Sequence, residues 1–207
     1  DMALTVVIPG PTGAHNWHPM AFNPDTGLVY IPVNEIPFFY DKTRNVEDSK
    51  SFWNLGYDAA AGWPVEYPAG TLDAVADLDG GSLLAWDPVK AEPRWAVPFA
   101  LPLNGGVLST DAGLVFQGNK FGDLVAYDAE TGERLWSEQL VGNAAAAPMT
   151  YEIDGEQYLS VLSGWGSLSN LVAGFTYGQA AGKEPARVIT FKLGGNKMMP
   201  APLADQV

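Results

Sequence analysis

The residue types best able to do chemistry in this chain gather in three short segments. Gly13-Ala14-His15-Asn16-Trp17-His18-Pro19 sets an asparagine and a tryptophan between two histidines. Leu103-Asn104-Gly105-Gly106 joins an asparagine to a glycine pair, and Ser163-Gly164-Trp165-Gly166 puts a tryptophan between glycines. An asparagine amide offers two N–H donors without bringing a charge. Glycines beside it let another backbone or a ligand come close. The same residues have plainer uses. Asn16 could cap a turn, and Trp17 and Trp165 could be core or interface residues. A metal reading of His15 and His18 is weak, because two imidazoles with no third histidine and no cysteine make a poor zinc site. Asp73, Asp77 and Asp79 are spaced like part of a calcium loop. The glycine and terminal glutamate of an EF-hand do not follow in register, so these residues read as a solvated loop.

The rest of the composition narrows the setting. Eleven Lys and Arg against 24 Asp and Glu give a formal charge of −13 over 207 residues. Such a surface repels phosphate, so nucleic acid and anionic membranes are poor partners. With 47% hydrophobic and 17% charged residues the chain is not disordered. The absence of cysteine excludes disulfides, thiolate metal sites, cysteine nucleophiles and covalently attached haem c within this stretch. No apolar run reaches the roughly 18–20 residues of a membrane-spanning helix.

The elements that must position the three segments are short strands. Gly (23) and Pro (16) recur throughout and cut the chain into brief apolar pieces. Strands are expected at Met20–Phe22, Leu28–Val33, Ser82–Trp86, Gly113–Gln117, Leu124–Tyr127, Tyr158–Leu162 and Val188–Leu193. Several are continuously apolar, as befits a strand covered on both faces. Asp58–Ala61 and Ala144–Ala147 are alanine runs too soon closed by Gly or Pro to argue for helices.

A repeat then fixes the architecture. Ala85-Trp86-Asp87 to Trp95 aligns with Ala126-Tyr127-Asp128-Ala129-Glu130-Thr131-Gly132 to Trp136, an offset of 41 residues. Upstream, Asn23-Pro24-Asp25-Thr26-Gly27-Leu28 resembles Ser109-Thr110-Asp111-Ala112-Gly113-Leu114, with Glu152 to Leu159 as a looser third copy. A period near forty with four short strands per unit marks a β-propeller blade. In the Asp-x-x-Thr-Gly turn the aspartate caps the loop and glycine takes the positive φ. Trp95 and Trp136 are then structural, each filling the gap between neighbouring blades.

Units run from about Pro19 to Phe99, from Asn104 to Leu140 and from Ala147 to Leu193. The fold is expected to be all-β: a partial β-propeller of about three four-stranded blades. Residues 1–195 form these blades and 196–207 a linker or tail. Three blades cannot close a ring that needs four to eight. The chain is therefore expected to be the C-terminal part of a larger propeller, or a processed subunit whose other part is a separate chain. An insertion over 37–80 is rich in aromatic residues, which argues for an ordered excursion: a substrate-funnel wall, or a cover over one end of the blades.

The His-Asn-Trp-His-Pro, Asn-Gly-Gly and Gly-Trp-Gly segments, taken in this order with the Ala-x-Asp-x-x-Thr-Gly-x-x-x-Trp unit, resemble the pyrroloquinoline quinone (PQQ)-dependent alcohol dehydrogenases. The likeness is closest to the quinohaemoprotein branch, in which a cytochrome c domain follows the propeller, and extends from about Val6 to Leu193. The resemblance implies an eight-bladed propeller with PQQ and a calcium or lanthanide ion in the central channel. It implies that Asn16, Trp17, Asn104, Trp165 and Gly166 lie at the cofactor. A planar, anionic, oxygen-rich cofactor suits asparagine donors. The catalytic base and the metal ligands have no motif match here, so the resemblance puts them in N-terminal blades outside this chain.

The implied activity is periplasmic oxidation of alcohols, with electrons passed to a cytochrome c or quinone acceptor. Haem c would belong to a following domain, and this polypeptide alone would be inactive. The implied partners are the remaining blades, an alcohol and a cytochrome. Two other readings compete: a non-catalytic propeller scaffold for outer-membrane assembly, and a PQQ sugar dehydrogenase.

Overall fold

A computed structural model describes residues 4–41, 80–140, 142–164 and 185–197. Thirteen strands run through them, and among the described residues there is no helix. The first sheet takes β2 (Ala21–Asn23), β3 (Leu28–Glu35), β5 (Gly80–Asp87) and β6 (Glu92–Phe99) in the order β2-β3-β5-β6. The second takes β7 (Val107–Ser109), β8 (Leu114–Gly118), β9 (Asp123–Asp128) and β10 (Arg134–Gln139), again in chain order. The third takes β11 (Met149–Ile153), β12 (Glu156–Ser163) and β13 (Arg187–Lys192). Every pairing is antiparallel. These up-and-down meanders are the expected blades, except that the third has three strands, not four, among the described residues.

A two-stranded sheet adds β1 (Leu4–Val7) paired with β4 (Phe38–Asp41). The aromatic insertion therefore begins as a strand. Its remainder lies outside the described residues, as do Asp73, Asp77, Asp79 and most of the expected tail. The alanines Ala144–Ala147 form an irregular connection that bends at Ala146 and has no helical turn.

Alternating burial in β3 and β5 aims Leu28, Tyr30, Leu83 and Ala85 at the second sheet, where Val107, Val115, Val125, Tyr127 and Ala129 meet them. A second core joins Leu124, Leu140 and Ala144 to Val161 and Ile189 of the third sheet. Strand β9 serves both cores. Val125 and Tyr127 face the first sheet and Leu124 the third, so four consecutive residues of β9 are buried. This is the reason for its unbroken apolar run.

The repeat motif locks the seams. The Asp128 carboxylate accepts N–H bonds from Glu130 and Thr131 at 3.0 and 2.8 Å, and Gly132 has φ +75°. Trp95 lies against that turn: its indole N–H donates to the Ala129 carbonyl at 3.1 Å, and the Tyr30 hydroxyl reaches the same carbonyl at 2.9 Å. One seam further on, Trp136 meets Phe191 of the third sheet edge-to-face, with ring centres 5.5 Å apart. Each tryptophan thus anchors its blade on the next, as the repeat implied.

The entries to the innermost strands meet at one point. The Val107 N–H donates to the Pro19 carbonyl at 2.9 Å, and the Gly106 N–H to the Ala145 carbonyl at 3.2 Å. A β-carbon on Gly106 would lie 2.6 Å from Pro19 Cδ and 2.9 Å from Ala147 Cβ. Pro19, Gly106 and Ala147 precede β2, β7 and β11, so only glycine lets the three entries converge.

Candidate functional site

The convergence of β2, β7 and β11 creates a polar belt. The belt is built from the connections that lead into these strands, from the β8–β9 turn, and from the ends of β3, β8 and β12 at the same end of the sheets. Its buried polar side chains are His18, Asn34, Asn104, Gln117, Asn143 and Ser163. The Asn34 side-chain oxygen Oδ1 accepts the Leu103 N–H at 2.7 Å, holding Leu103 at φ +62°. The Gln117 amide donates to the Gly105 carbonyl at 2.8 Å. The Ser163 hydroxyl accepts the Gly142 N–H and donates to the Gly142 carbonyl, each at 3.0 Å. Buried backbone groups in these loops have no ladder partners, and the amides and hydroxyls supply them.

Asn104 belongs to this framework. It is 5% exposed. Its amide N–H donates to the Leu101 carbonyl at 2.7 Å, and its oxygen accepts the Lys120 N–H at 3.3 Å. Both ends of the amide are occupied by backbone, and they tie the β6–β7 connection to the β8–β9 turn. The close approach that Gly105 permits is to protein: a β-carbon there would lie 2.3 Å from the Ala144 carbonyl oxygen.

Asn16 and Trp17 are placed differently. The Ala14 carbonyl accepts the Asn34 N–H at 2.7 Å, and His15 Nδ1 lies 3.0 Å from the Pro32 carbonyl. That contact requires a proton on Nδ1. On the far side, Pro19 is bonded to Val107. Between these ties the His18 N–H reaches back to the Asn16 carbonyl at 2.7 Å, with Trp17 at φ +62°. A three-residue turn with a left-handed central residue is rare and strained, the more so for a bulky side chain. Strain of this kind gathers where function needs a fixed geometry.

The turn lifts Trp17 out to 70% exposure. No hydrogen bond to a described residue engages the half-buried Asn16 side chain. His18, by contrast, is buried behind the turn. Burial pushes its imidazole below the ordinary histidine range. The Asn16 carbonyl opposes that shift, and the nearby His15 adds to it. The result is a crest of two residues, a spare amide beside an outward indole, on a base tied down at both ends.

Trp165 and Gly166 lie outside the described residues. The strand that leads toward them ends at Ser163, and Gly164 bridges to Asn143 in the belt. Among the described residues no three His, Asp or Glu side chains group as metal ligands do. A separate cleft of about 240 Å³, lined by Asp25, Asp87, Lys90, Arg94 and Glu130 among others, sits among the hairpin turns at the opposite end of the sheets.

Sequence reasoning missed Asn34, Gln117, Asn143 and Ser163. A signal existed for Asn34. It continues the series Leu28, Tyr30 and Pro32 on the buried face of β3, where an amide needs a buried partner.

Comparison with known proteins finds relatives along nearly the whole chain. Residues 62–159 match the PQQ family described as glucose/ethanol/alcohol dehydrogenase, β-propeller domain. The quinohemoprotein alcohol dehydrogenase ADH IIB of Pseudomonas putida is 43% identical over 198 residues, covering 95% of this chain and 27% of that protein. The 1-butanol dehydrogenase (cytochrome c) of Thauera butanivorans is 36% identical, covering 96% of this chain and 28% of the relative. The solved structure of quinohemoprotein alcohol dehydrogenase ADHIIG from Pseudomonas putida HK5 aligns with a TM-score of 0.74 at 39% identity, over 97% of this chain and 30% of that one. The chain thus spans little more than a quarter of the length of the relatives it matches.

Proposed function

We propose that this chain, which belongs to the PQQ-dependent dehydrogenase β-propeller family, contributes about three blades to a PQQ-dependent alcohol dehydrogenase. Its share of the work is one wall of the cofactor site. The observation that carries this reading is the crest at Asn16 and Trp17, which stands where the innermost strands begin and has donors to spare.

The donor chemistry fits the group. The Asn16 amide offers two N–H donors to the oxygen-rich edge of a planar quinone and adds no competing charge. Trp17 offers a flat apolar surface beside it. The buried amides of Asn34, Asn104 and Gln117 keep the wall from yielding, so little is lost to reorganisation when a ligand docks. PQQ, when bound, supplies the oxidising power for the alcohol. The residues of this chain orient it, polarise its edge and exclude water. Trp165 and Gly166 are proposed for the same wall. Asn104 acts at one remove, by holding the loop beside the wall.

The base that takes the alcohol proton and the ligands of a calcium or lanthanide ion belong to blades outside this chain. An alcohol substrate, a periplasmic location and a cytochrome c acceptor complete the proposal. Haem c would sit in a further domain. The relative from Thauera, a 1-butanol dehydrogenase linked to cytochrome c, supports the substrate class and the acceptor.

The test is dye reduction by the complete protein loaded with PQQ and calcium, offered primary alcohols and glucose. Alcohol-dependent turnover, absent from the isolated 207-residue chain, is the expected result. No quinone-dependent turnover by the complete protein, or turnover by this chain alone, contradicts the proposal.

A further inference from the structure

Strand β3 runs on past its neighbour β2. Their pairing ends at Ala21 and Tyr30, while β3 continues to Glu35. On the side that β2 has left, the Asn34 N–H donates to the Ala14 carbonyl at 2.7 Å. Pro32, two residues earlier on the same side, has no N–H to offer, as suits a residue at an open strand edge. It is buried, so its carbonyl still needs a donor from the protein. The His15 ring supplies one, with Nδ1 3.0 Å from that carbonyl oxygen.

The same bond fastens the crest. Backbone ties hold Ala14 to β3 and Pro19 to β7. Between them, the His18 N–H closes on the Asn16 carbonyl, which shapes the turn but joins it to no other element. Among the described residues, the His15 ring makes the one hydrogen bond that connects residues 15–18 to a sheet. His18 is buried and seats the far end of the turn by packing. Packing is non-directional, so it sets a depth and no aim.

We infer that His15 is a positioning residue: the bond from its Nδ1–H to the Pro32 carbonyl fixes the crest on the open edge of β3 and so sets the direction in which the Asn16 amide and the Trp17 ring meet the cofactor. This rests on the reading of the crest as a cofactor wall. Trp17 holds a left-handed φ of +62°, which a bulky side chain adopts only under constraint. With the His15 ring released, residues 15–18 lose their directed hold on the sheet. Asn16, next in the chain, loses its aim first.

The experiment is a calorimetric titration of the complete protein with PQQ in the presence of calcium. His15→Leu fills the half-buried position without a donor. His15→Asn sets an amide nitrogen where Nδ1 stood. His15→Leu is expected to weaken PQQ binding about tenfold, the scale of one hydrogen bond. His15→Asn should stay within about threefold of wild type. In a background of Asn16→Ala with Trp17→Ala, His15→Leu should cost less than about twofold more, because its effect passes through those two residues. Wild-type affinity in His15→Leu, equal losses in the Leu and Asn variants, or an undiminished loss in the crest-less background overturns the inference.

If His15→Leu does not fold, His15→Gln replaces it. Its amide nitrogen lies where Nε2 stood, one bond too far out for the Pro32 carbonyl, so it should bind PQQ about tenfold more weakly than His15→Asn. Equal affinities of the two variants overturn the inference. Failure of the wild-type protein to bind PQQ at all is a separate result, which sinks the cofactor-wall reading itself.

Discussion

The indole N–H of Trp95 crosses the seam between the first two sheets and donates to the Ala129 carbonyl at 3.1 Å. Its ring lies so close to the next turn that a β-carbon on Gly132 would sit 2.7 Å from it. Trp95 and Gly132 belong to successive copies of the same motif. One copy supplies the ring and the next supplies the socket, and this is how the repeat becomes a wheel.

Filling the socket should therefore open the seam. Gly132→Ala meets both the ring and a φ of +75°, and is expected to destabilise the protein by about 2 kcal/mol. Trp95→Ala, at a half-buried position, should cost about 2–3 kcal/mol. Denaturant midpoints measure both. Because the two residues touch, the double variant should lose less than the sum.

The equivalent turn in the first sheet carries a flaw that can be repaired. Asp87 caps it as Asp128 does, accepting N–H bonds from Val89 and Lys90 at 3.0 Å. The residue aligned with Gly132 is Ala91, at φ +55°. Ala91→Gly removes the strain at some cost in unfolded-state entropy, for a net gain of about 0.5–1 kcal/mol. A raised melting temperature confirms this, and an unchanged or lowered one contradicts it.

The two asparagines should separate by phenotype. Asn104→Ala removes two part-buried hydrogen bonds that tie the β6–β7 connection to the β8–β9 turn, so stability should fall by about 1–2 kcal/mol. Asn16→Ala breaks no bond to a described residue. It should melt like wild type and lose PQQ affinity instead. The opposite pattern would move the cofactor contact from the crest into the belt.

His18 also sets a pH dependence. Its pKa is lowered in the folded state, chiefly by burial, so the unfolded chain binds the proton more readily. Its contribution is complete above the unfolded value near 6.5 and is lost as pH falls from there through the lowered folded value. Unfolding free energy measured from pH 8 to pH 5 should decline for wild type. The decline should be shallower for His18→Gln.

What the sequence revealed follows the range of the interactions involved. The Asp128–Gly132 turn was legible because its chemistry is local: a carboxylate and a glycine within five residues. Strands β3, β5 and β9 were legible because their apolar faces repeat at the period of a pleat. Strands β6, β10 and β11 are largely exposed on one or both faces, and that pattern hides them. Neither Trp17 nor Leu103 betrays its positive φ, since neither is Gly, Asn or Asp. The conformation is imposed from outside, at Leu103 by Asn34 across 69 positions of chain. Asn104 was singled out from the sequence as a cofactor contact, but its backbone partners could not be foreseen. They depend on how the β6–β7 connection folds over the β8–β9 turn.

The most direct test of the cofactor wall is a structure of the complete protein with PQQ bound. The Asn16 amide nitrogen is predicted to lie within hydrogen-bond reach of a cofactor oxygen, about 3 Å, with the Trp17 ring against the cofactor. A crest that faces the outer rim of the wheel, with PQQ held entirely by other residues, would contradict it.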